Sequence, residues 1–437
     1  MEVQLETPGG LLRQLKVRIP AENVTKAVEQ RLRQLSSRAK VPGFRPGKAP
    51  QKVIEQQYGA SARLDAVSDI VQKSYPEALG KAGVNPAGMP KIDITAEAPG
   101  QPLEYTASFE VYPEITLQGL DSFKIEKPAV LIQDSDIDKL IENLRKGRRS
   151  FETVSRAVAA GDSVNIDFEG KLDGVPFDGG KGEKVEFEVG AGQFLPDLEN
   201  GIVGHSAGET FDVSVSFPED YRAENLKGKT AVFTVTVHEV KEAKLPALDD
   251  ADFLAAHNVD SAATLRDKAK SALEGERDKA IRNRLKSQAL EQLLAQNPIE
   301  VPTALIEQEI PRLREDAASR MNLRNVPPEK RDELLPNSLF EQTARRRVAL
   351  GLLIGEVIKA QNIQLDAARV DKALDELAAD YEQPEEVKQY YRSNGQMMQS
   401  LRAVSLEDQV VEALLAGTTP IEQPLSLEQL LNPQAQA

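Results

Sequence analysis

Two incompatible textures sit side by side in this chain. Residues 150–242 are rich in glycine and alternate apolar with polar side chains, whereas the 192 residues from Pro246 onward contain five glycines (275, 351, 355, 395 and 417). Alternation punctuated by Gly and Asp fits short antiparallel strands with one buried face, as in Val164/Ile166/Phe168, Val185/Phe187/Val189, Phe211/Val213/Val215/Phe217 and Phe233/Val235/Val237. The later segment is rich in Ala, Leu, Glu, Lys and Arg, which favour helices. Helices are predicted over 262–296, 302–324, 338–361, 366–381, 385–400 and 405–416, with proline at 298, 302, 327, 328, 336 and 384 between or beside them. The 338–361 segment, with Val348, Leu353 and Val357, is predicted to be the most buried of them. The residues after Gly417 read as a flexible end with one short amphipathic turn.

The first 112 residues follow a third pattern. Leu11–Ile19 alternates as a strand up to Pro20, and Ala21–Lys40 places Val24, Val28, Leu32 and Leu35 at helical spacing. A second helix is expected up to about Ala82, and Leu103–Val111 as a returning strand. Asp134–Arg148 is predicted to be a helix, with Ile137, Leu140, Ile141 and Leu144 on one face. A chain of 437 residues has room for about three domains.

Composition removes several chemistries. The chain has no Cys, so disulfides, thiolate nucleophiles and cysteine-based metal centres are out of reach. Three scattered histidines (His205, His238 and His257) form no metal-binding pair, and no metal or other cofactor is expected. No run approaches the ~18 apolar residues of a membrane span, and the N-terminal sequence lacks an apolar signal region, so no membrane association and a cytosolic location are expected. The net charge of −15 is uneven: residues 1–60 hold eleven Lys/Arg and five Glu, giving a basic head on an acidic body. Such a head suits a polyanion, although a solvated helix face has the same composition.

The loop Val41–Pro50 presents Phe44, Arg45 and Lys48 between two predicted helices. An aromatic flanked by cations suits docking on RNA and protein, because Arg and Lys bind phosphate while Phe fills an apolar pocket. Its alternative is a Phe folded back into its own core. A phosphate-binding P-loop is excluded, since Ala49 follows Lys48. Gly43-Phe44-Arg45-Pro46-Gly47-Lys48, followed by Pro50, resembles the ribosome-binding signature of the bacterial trigger factor family. The order of parts is similar over essentially the whole chain. That resemblance implies docking on the large ribosomal subunit beside the exit tunnel, with Phe44, Arg45 and Lys48 touching ribosomal protein and RNA.

The middle segment resembles prolyl isomerases of the FK506-binding type. Gly161–Gly170 is similar to that family's opening strand, Asp173–Asp178 to its next segment, Gly190–Ile202 to its pocket-floor helix, and Phe217–Tyr221 and Ala231–Val235 to its late loop and last strand. By position, the resemblance implies a pocket of Phe168, Phe177, Asp178, Phe194, Leu195, Leu198, Tyr221 and Phe233. Phe168 stands where many relatives carry Tyr, and Leu198 where the small archetypal members carry Trp.

The fold expected is multidomain α+β. It comprises an N-terminal α+β ribosome-binding domain (1–112), a linker strand and helix (113–149), an FK506-binding-type antiparallel sheet with a helix (150–245), and an all-α chaperone domain (246–437). The function the resemblance implies is an ATP-independent, ribosome-associated chaperone that binds unfolded nascent polypeptides and isomerises X–Pro bonds. It also implies homodimers off the ribosome. The rival reading is a soluble isomerase with assembly domains and no ribosome role. Gly204-His-Ser-Ala-Gly208 fits the G-x-S-x-G nucleophile elbow, but a helix is predicted before Ser206 and a strand after it, the reverse of what that elbow needs.

Overall fold

In the computed structural model the described residues are 1–38, 44, 50–379, 381 and 383–432. Strands β1 (Glu2–Gly9) and β2 (Leu12–Ile19) form a hairpin that leads into helices α1 (Ala21–Arg38) and α2 (Gln51–Ala82). Strands β3 (Lys91–Ala96) and β4 (Leu103–Glu110) complete a four-stranded antiparallel sheet in the order β1-β2-β4-β3. Every second residue of β4 (Leu103, Tyr105, Ala107 and Phe109) is buried against Val24 of α1 and Val67 and Ala78 of α2. The buried Tyr105 hydroxyl meets Ser74 Oγ at 2.8 Å, which satisfies both polar groups. The edge strands β1 and β3 are not among the predicted elements, although Val3/Leu5 and Ile92/Ile94 alternate with polar residues; neither strand has a fully buried residue.

An extended segment follows, then β5 (Glu126–Ala129) and helix α3 (Asp134–Gly147). Next come β6 (Ser150–Val154), β7 (Ser163–Leu172), β8 (Val175–Glu188), α4 (Pro196–Ile202), β9 (Thr210–Ser216) and β10 (Thr230–Lys244). These five strands form one antiparallel sheet in the order β6-β10-β7-β8, with β9 also paired to β10. The alternation predicted for this region holds. Val164, Ile166, Phe187, Val215, Phe217, Phe233, Val235 and Val237 share one core with Leu198 and Ile202 of α4.

The helical region comprises α5 (Ala251–Ala256), α6 (Ala262–Gln296), α7 (Thr303–Arg320), α8 (Pro328–Leu334), a 3₁₀ turn (Asn337–Leu339), α9 (Glu341–Gln361), α10 (Ala367–Ala378), α11 (Pro384–Ser393) and α12 (Gly395–Ala416). Strand β11 (Ile421–Pro424) and helix α13 (Leu427–Leu431) end the described chain. The last long helices depart from the prediction. The break falls at Asn394, whose side-chain oxygen caps the N–H groups of Gln396 and Met397 at 3.1 and 3.2 Å, and α12 then runs unbroken through residues 400–405. The α9 segment buries Ala344, Ala349, Leu353 and Val357 but is not uniquely buried, since α12 buries Ser405, Val410, Val411 and Leu414. Arg345, Arg346 and Arg347 are exposed as expected, and the latter two pair with Glu291 and Glu309 at 3.2 Å each.

The described chain divides into two compact units, Met1–Lys127 with Asn283–Glu422, and Pro128–Arg282 with Gln423–Ala437. In the first, amide side chains of α6 stand in for a neighbouring strand along the extended segment. Gln288 accepts the Glu126 N–H at 2.8 Å and donates to its carbonyl at 2.9 Å, Gln292 bonds Lys124 in the same double manner, and buried Asn297 accepts the Gln118 N–H at 2.7 Å. Gln288 and Gln292, about one helical turn apart, match alternate residues of the extended chain, and Asn297 follows just past the end of α6.

In the second unit residues 423–432 pack on α3, α5 and α6. The Leu425 N–H donates to the Ala129 carbonyl at 3.2 Å, and Leu427 and Leu430 are buried with Ile137, Ile141, Leu254 and Leu265. The amphipathic turn predicted there forms as α13, capped by Ser426. Its apolar pair, Leu427 and Leu430, has a core to enter.

Buried Asp162 braces the β7 entry. It receives Arg156 Nη1 and Nη2 at 2.6 and 2.8 Å and the Ala159 N–H at 2.8 Å. Burial pushes its carboxyl up, but the Arg156 and Ala159 hydrogen bonds outweigh it and hold it below the ordinary 3.8. A depressed carboxyl stabilises the fold above its unfolded-state value and loses that contribution as the pH falls. The resistance of the wild type to urea should therefore fall below about pH 4. Asp162→Asn should be less stable at pH 7 by about 2 kcal/mol and show a flatter acid limb; an unchanged limb would contradict the assignment.

Candidate active site

Three strands and two loops deliver aromatic side chains to one concavity of the five-stranded sheet. The alternation of β7 sends Val164 and Ile166 into the core and leaves Phe168 half-buried at its edge, while Asp167 points to the opposite face. Phe177 comes from β8, Phe233 from β10, Leu198 from α4, and Phe194 and Leu195 from the loop before α4. With Tyr221 they line a cavity of about 430 Å³, completed by Gly179, Gly192, Gln193, Val215 and Phe217.

The rings meet mainly edge to face. Phe168 lies 5.6 Å from Phe194 and 6.1 Å from Phe233, Phe177 lies 5.9 Å from Phe233 and 6.1 Å from Phe217, and Phe217 lies 4.8 Å from Tyr221. Such contacts hold ring planes at fixed angles and add to simple burial. Two glycines make the approach possible. A Cβ at Gly170 would stand 2.7 Å from Phe233 Cε1 and 2.9 Å from Phe177 Cζ, and one at Gly182 would stand 2.6 Å from Phe168 Cε1.

Seven of the eight residues predicted for the pocket are brought together. The eighth, Asp178, is exposed and does not line the cavity, although its neighbours Phe177 and Gly179 do. Alternation along β8 turns its carboxylate outward when Phe177 turns in. Phe217 and Val215, expected in an alternating strand but not in the pocket, lie on the face that serves both core and cavity. Gly192 and Gln193 carried no signal of their own.

The hydrolase pattern fails on geometry. Helix α4 precedes it, β9 follows, and Gly204–Gly208 is a turn held by Gly204 N–H to Val158 O (2.9 Å) and Gly208 N–H to Val237 O (2.7 Å). His205 bonds Glu209 at 2.8 Å and stacks on Phe211, with no bond to Ser206.

In the head, Phe44 is exposed (43 %), so it does not fold back into a core. Gly43, Arg45, Pro46, Gly47 and Lys48 of the docking motif lie outside the described residues.

A twisted antiparallel sheet with one short helix enclosing an aromatic cup defines an isomerase domain of the FK506-binding class. Residues 154–238 match the family model for FKBP-type peptidyl-prolyl cis-trans isomerase. Residues 1–144 match bacterial trigger factor protein and residues 261–416 its C-terminus. The trigger factors of Shewanella denitrificans and Thioalkalivibrio sulfidiphilus are each 41 % identical over 436 residues, covering 99 % of this chain and 99 % of theirs. The chain belongs to the trigger factor family: it is a chaperone with a prolyl isomerase domain. Full-length membership favours this over an isomerase that merely carries assembly domains. No helix among the described residues is long and apolar enough to cross a membrane.

Proposed function

We propose that the aromatic cup is the site of X–Pro isomerisation, formed by Phe168, Phe177, Phe194, Leu195, Leu198, Tyr221 and Phe233, with Asp178 exposed beside it. The observation that carries this is a cavity of about 430 Å³ in which aromatic rings, two leucines and Val215 make most of the lining, with Gln193, Gly179 and Gly192 completing it. Amide resonance sets the rotation barrier at ~18–20 kcal/mol. Its planar form is charge-separated and well solvated; the twisted form is less so. An apolar cup removes the water that favours the planar form, while Phe and Leu hold the proline ring. No nucleophile or general base is needed.

The head docks on the large ribosomal subunit near the exit tunnel through Gly43–Lys48, its cations on RNA phosphate and Phe44 in an apolar protein pocket. The helical region then receives unfolded nascent chains without nucleotide. The protein works in the cytoplasm and forms homodimers away from the ribosome. The division of labour runs 1–112 for docking, 113–149 as linker, 150–245 for isomerisation and 246–437 for holding clients. The test is to sediment the full chain with ribosomes and to measure its acceleration of a proline tetrapeptide. Co-sedimentation with acceleration supports the reading; failure of both contradicts it.

A further inference from the structure

Glu199 is buried (4 %) in an otherwise apolar floor, one residue after Leu198, and it bonds no cation. Its carboxylate instead gathers three backbone donors from the loop before α4. Oε2 accepts the N–H of Gly190 at 2.8 Å and of Gly192 at 3.3 Å, and Oε1 accepts the N–H of Phe194 at 2.8 Å. Both oxygens are used, and all three donors belong to the segment that supplies Gly192, Gln193, Phe194 and Leu195 to the cup. Gly190 and Gly192 have φ of +93° and +72°, a left-handed conformation that glycine adopts without strain and that lets alternate N–H groups of the loop meet the carboxylate. Charge-assisted bonds of this kind are about twice as strong as neutral ones.

We propose that Glu199 is a positioning residue for the isomerase reaction: it clamps the 190–194 loop so that one wall of the cup keeps its distance from Phe168 and Phe233. This rests on the cup being the isomerase site. The clamp gives the cup a fixed width, which determines how strongly the enzyme distinguishes the residue preceding proline. A neutral amide cannot replace it, because glutamine has one acceptor oxygen and would turn its NH₂ toward at least one of the three donors.

The test uses the full chain and a series of Ala-Xaa-Pro-Phe peptides that differ in Xaa, together with hydrogen exchange of the peptide spanning 190–195. Glu199→Gln is expected to speed exchange in that segment, with β10 still protected. It should lower kcat/KM about tenfold for the best Xaa and less for the poor ones, so that the spread across Xaa narrows. Gly192→Ala disturbs the same loop from the donor side, where a Cβ meets no atom within 4 Å but the positive φ is strained, and should narrow the spread in the same direction. Faster exchange with unchanged kcat/KM and unchanged spread would overturn the inference. If Glu199→Gln does not fold, an unchanged spread in Gly192→Ala overturns it alone. Phe233→Ala serves as the separate check on the cup: if it retains full activity, the site assignment itself fails, whereas its loss beside a wild-type Glu199→Gln removes only the clamp.

Discussion

Phe233→Ala is expected to lower isomerase kcat/KM by about a hundredfold, a loss of ~2.7 kcal/mol in transition-state stabilisation. Its ring is 6 % exposed and lies within 6.5 Å of the rings of Phe168, Phe177 and Phe217. Removing it both opens the cup and frees three neighbours to reorient. The same truncation empties part of the core, at about 3–5 kcal/mol of domain stability. Phe177→Ala separates the two effects. Phe177 is only half-buried, so the stability loss should be smaller while the lost cup wall remains. If peptide kinetics below the unfolding transition show Phe177→Ala with wild-type kcat/KM, the cup is not the catalytic surface.

Changing Phe44, Arg45 and Lys48 together to alanine is expected to weaken ribosome binding by at least about a hundredfold. Two phosphate contacts contribute a salt-dependent term, and each lost contact should reduce the slope of log affinity against log salt by about 0.7–0.9. Phe44 adds a salt-independent term through burial. The decisive comparison is a salt series for wild type, Phe44→Ala and Arg45→Ala/Lys48→Ala. The double variant should flatten the slope, and Phe44→Ala should shift the line without flattening it. Equal slopes in all three would contradict docking through phosphate.

Much of the architecture was legible because binary pattern and composition change together along the chain. The β7, β9 and β10 alternations identify a sheet with one buried face, and Gly-poor, Ala/Leu-rich segments identify the long helices. The cup residues were legible through resemblance more than through spacing. Phe168, Phe187 and Phe233 obey the same alternation, yet Phe187 is a core residue while the other two face the cavity; only the three-dimensional closure of the loop before α4 over the sheet tells them apart. Asp178 shows the opposite limit: position in the chain matched, but one step along a strand reverses the side chain. The amphipathic turn of the tail was legible, but the core it enters was not, because distant elements build that core. Leu427 and Leu430 are too few to hold a helix by themselves, and become buried only against α3, α5 and α6. The Asn394 cap and the Glu199 clamp are side-chain-to-backbone bonds. Polar residues of this kind read as surface until the backbone donors around them are known.

The most direct measurement is the refolding of an unrelated protein whose slow phase is limited by a proline bond, followed with increasing amounts of the full chain. That phase should accelerate in proportion to the chain present, and Phe177→Ala should leave it near the spontaneous rate. A slow phase indifferent to the wild-type chain would contradict isomerisation in the aromatic cup.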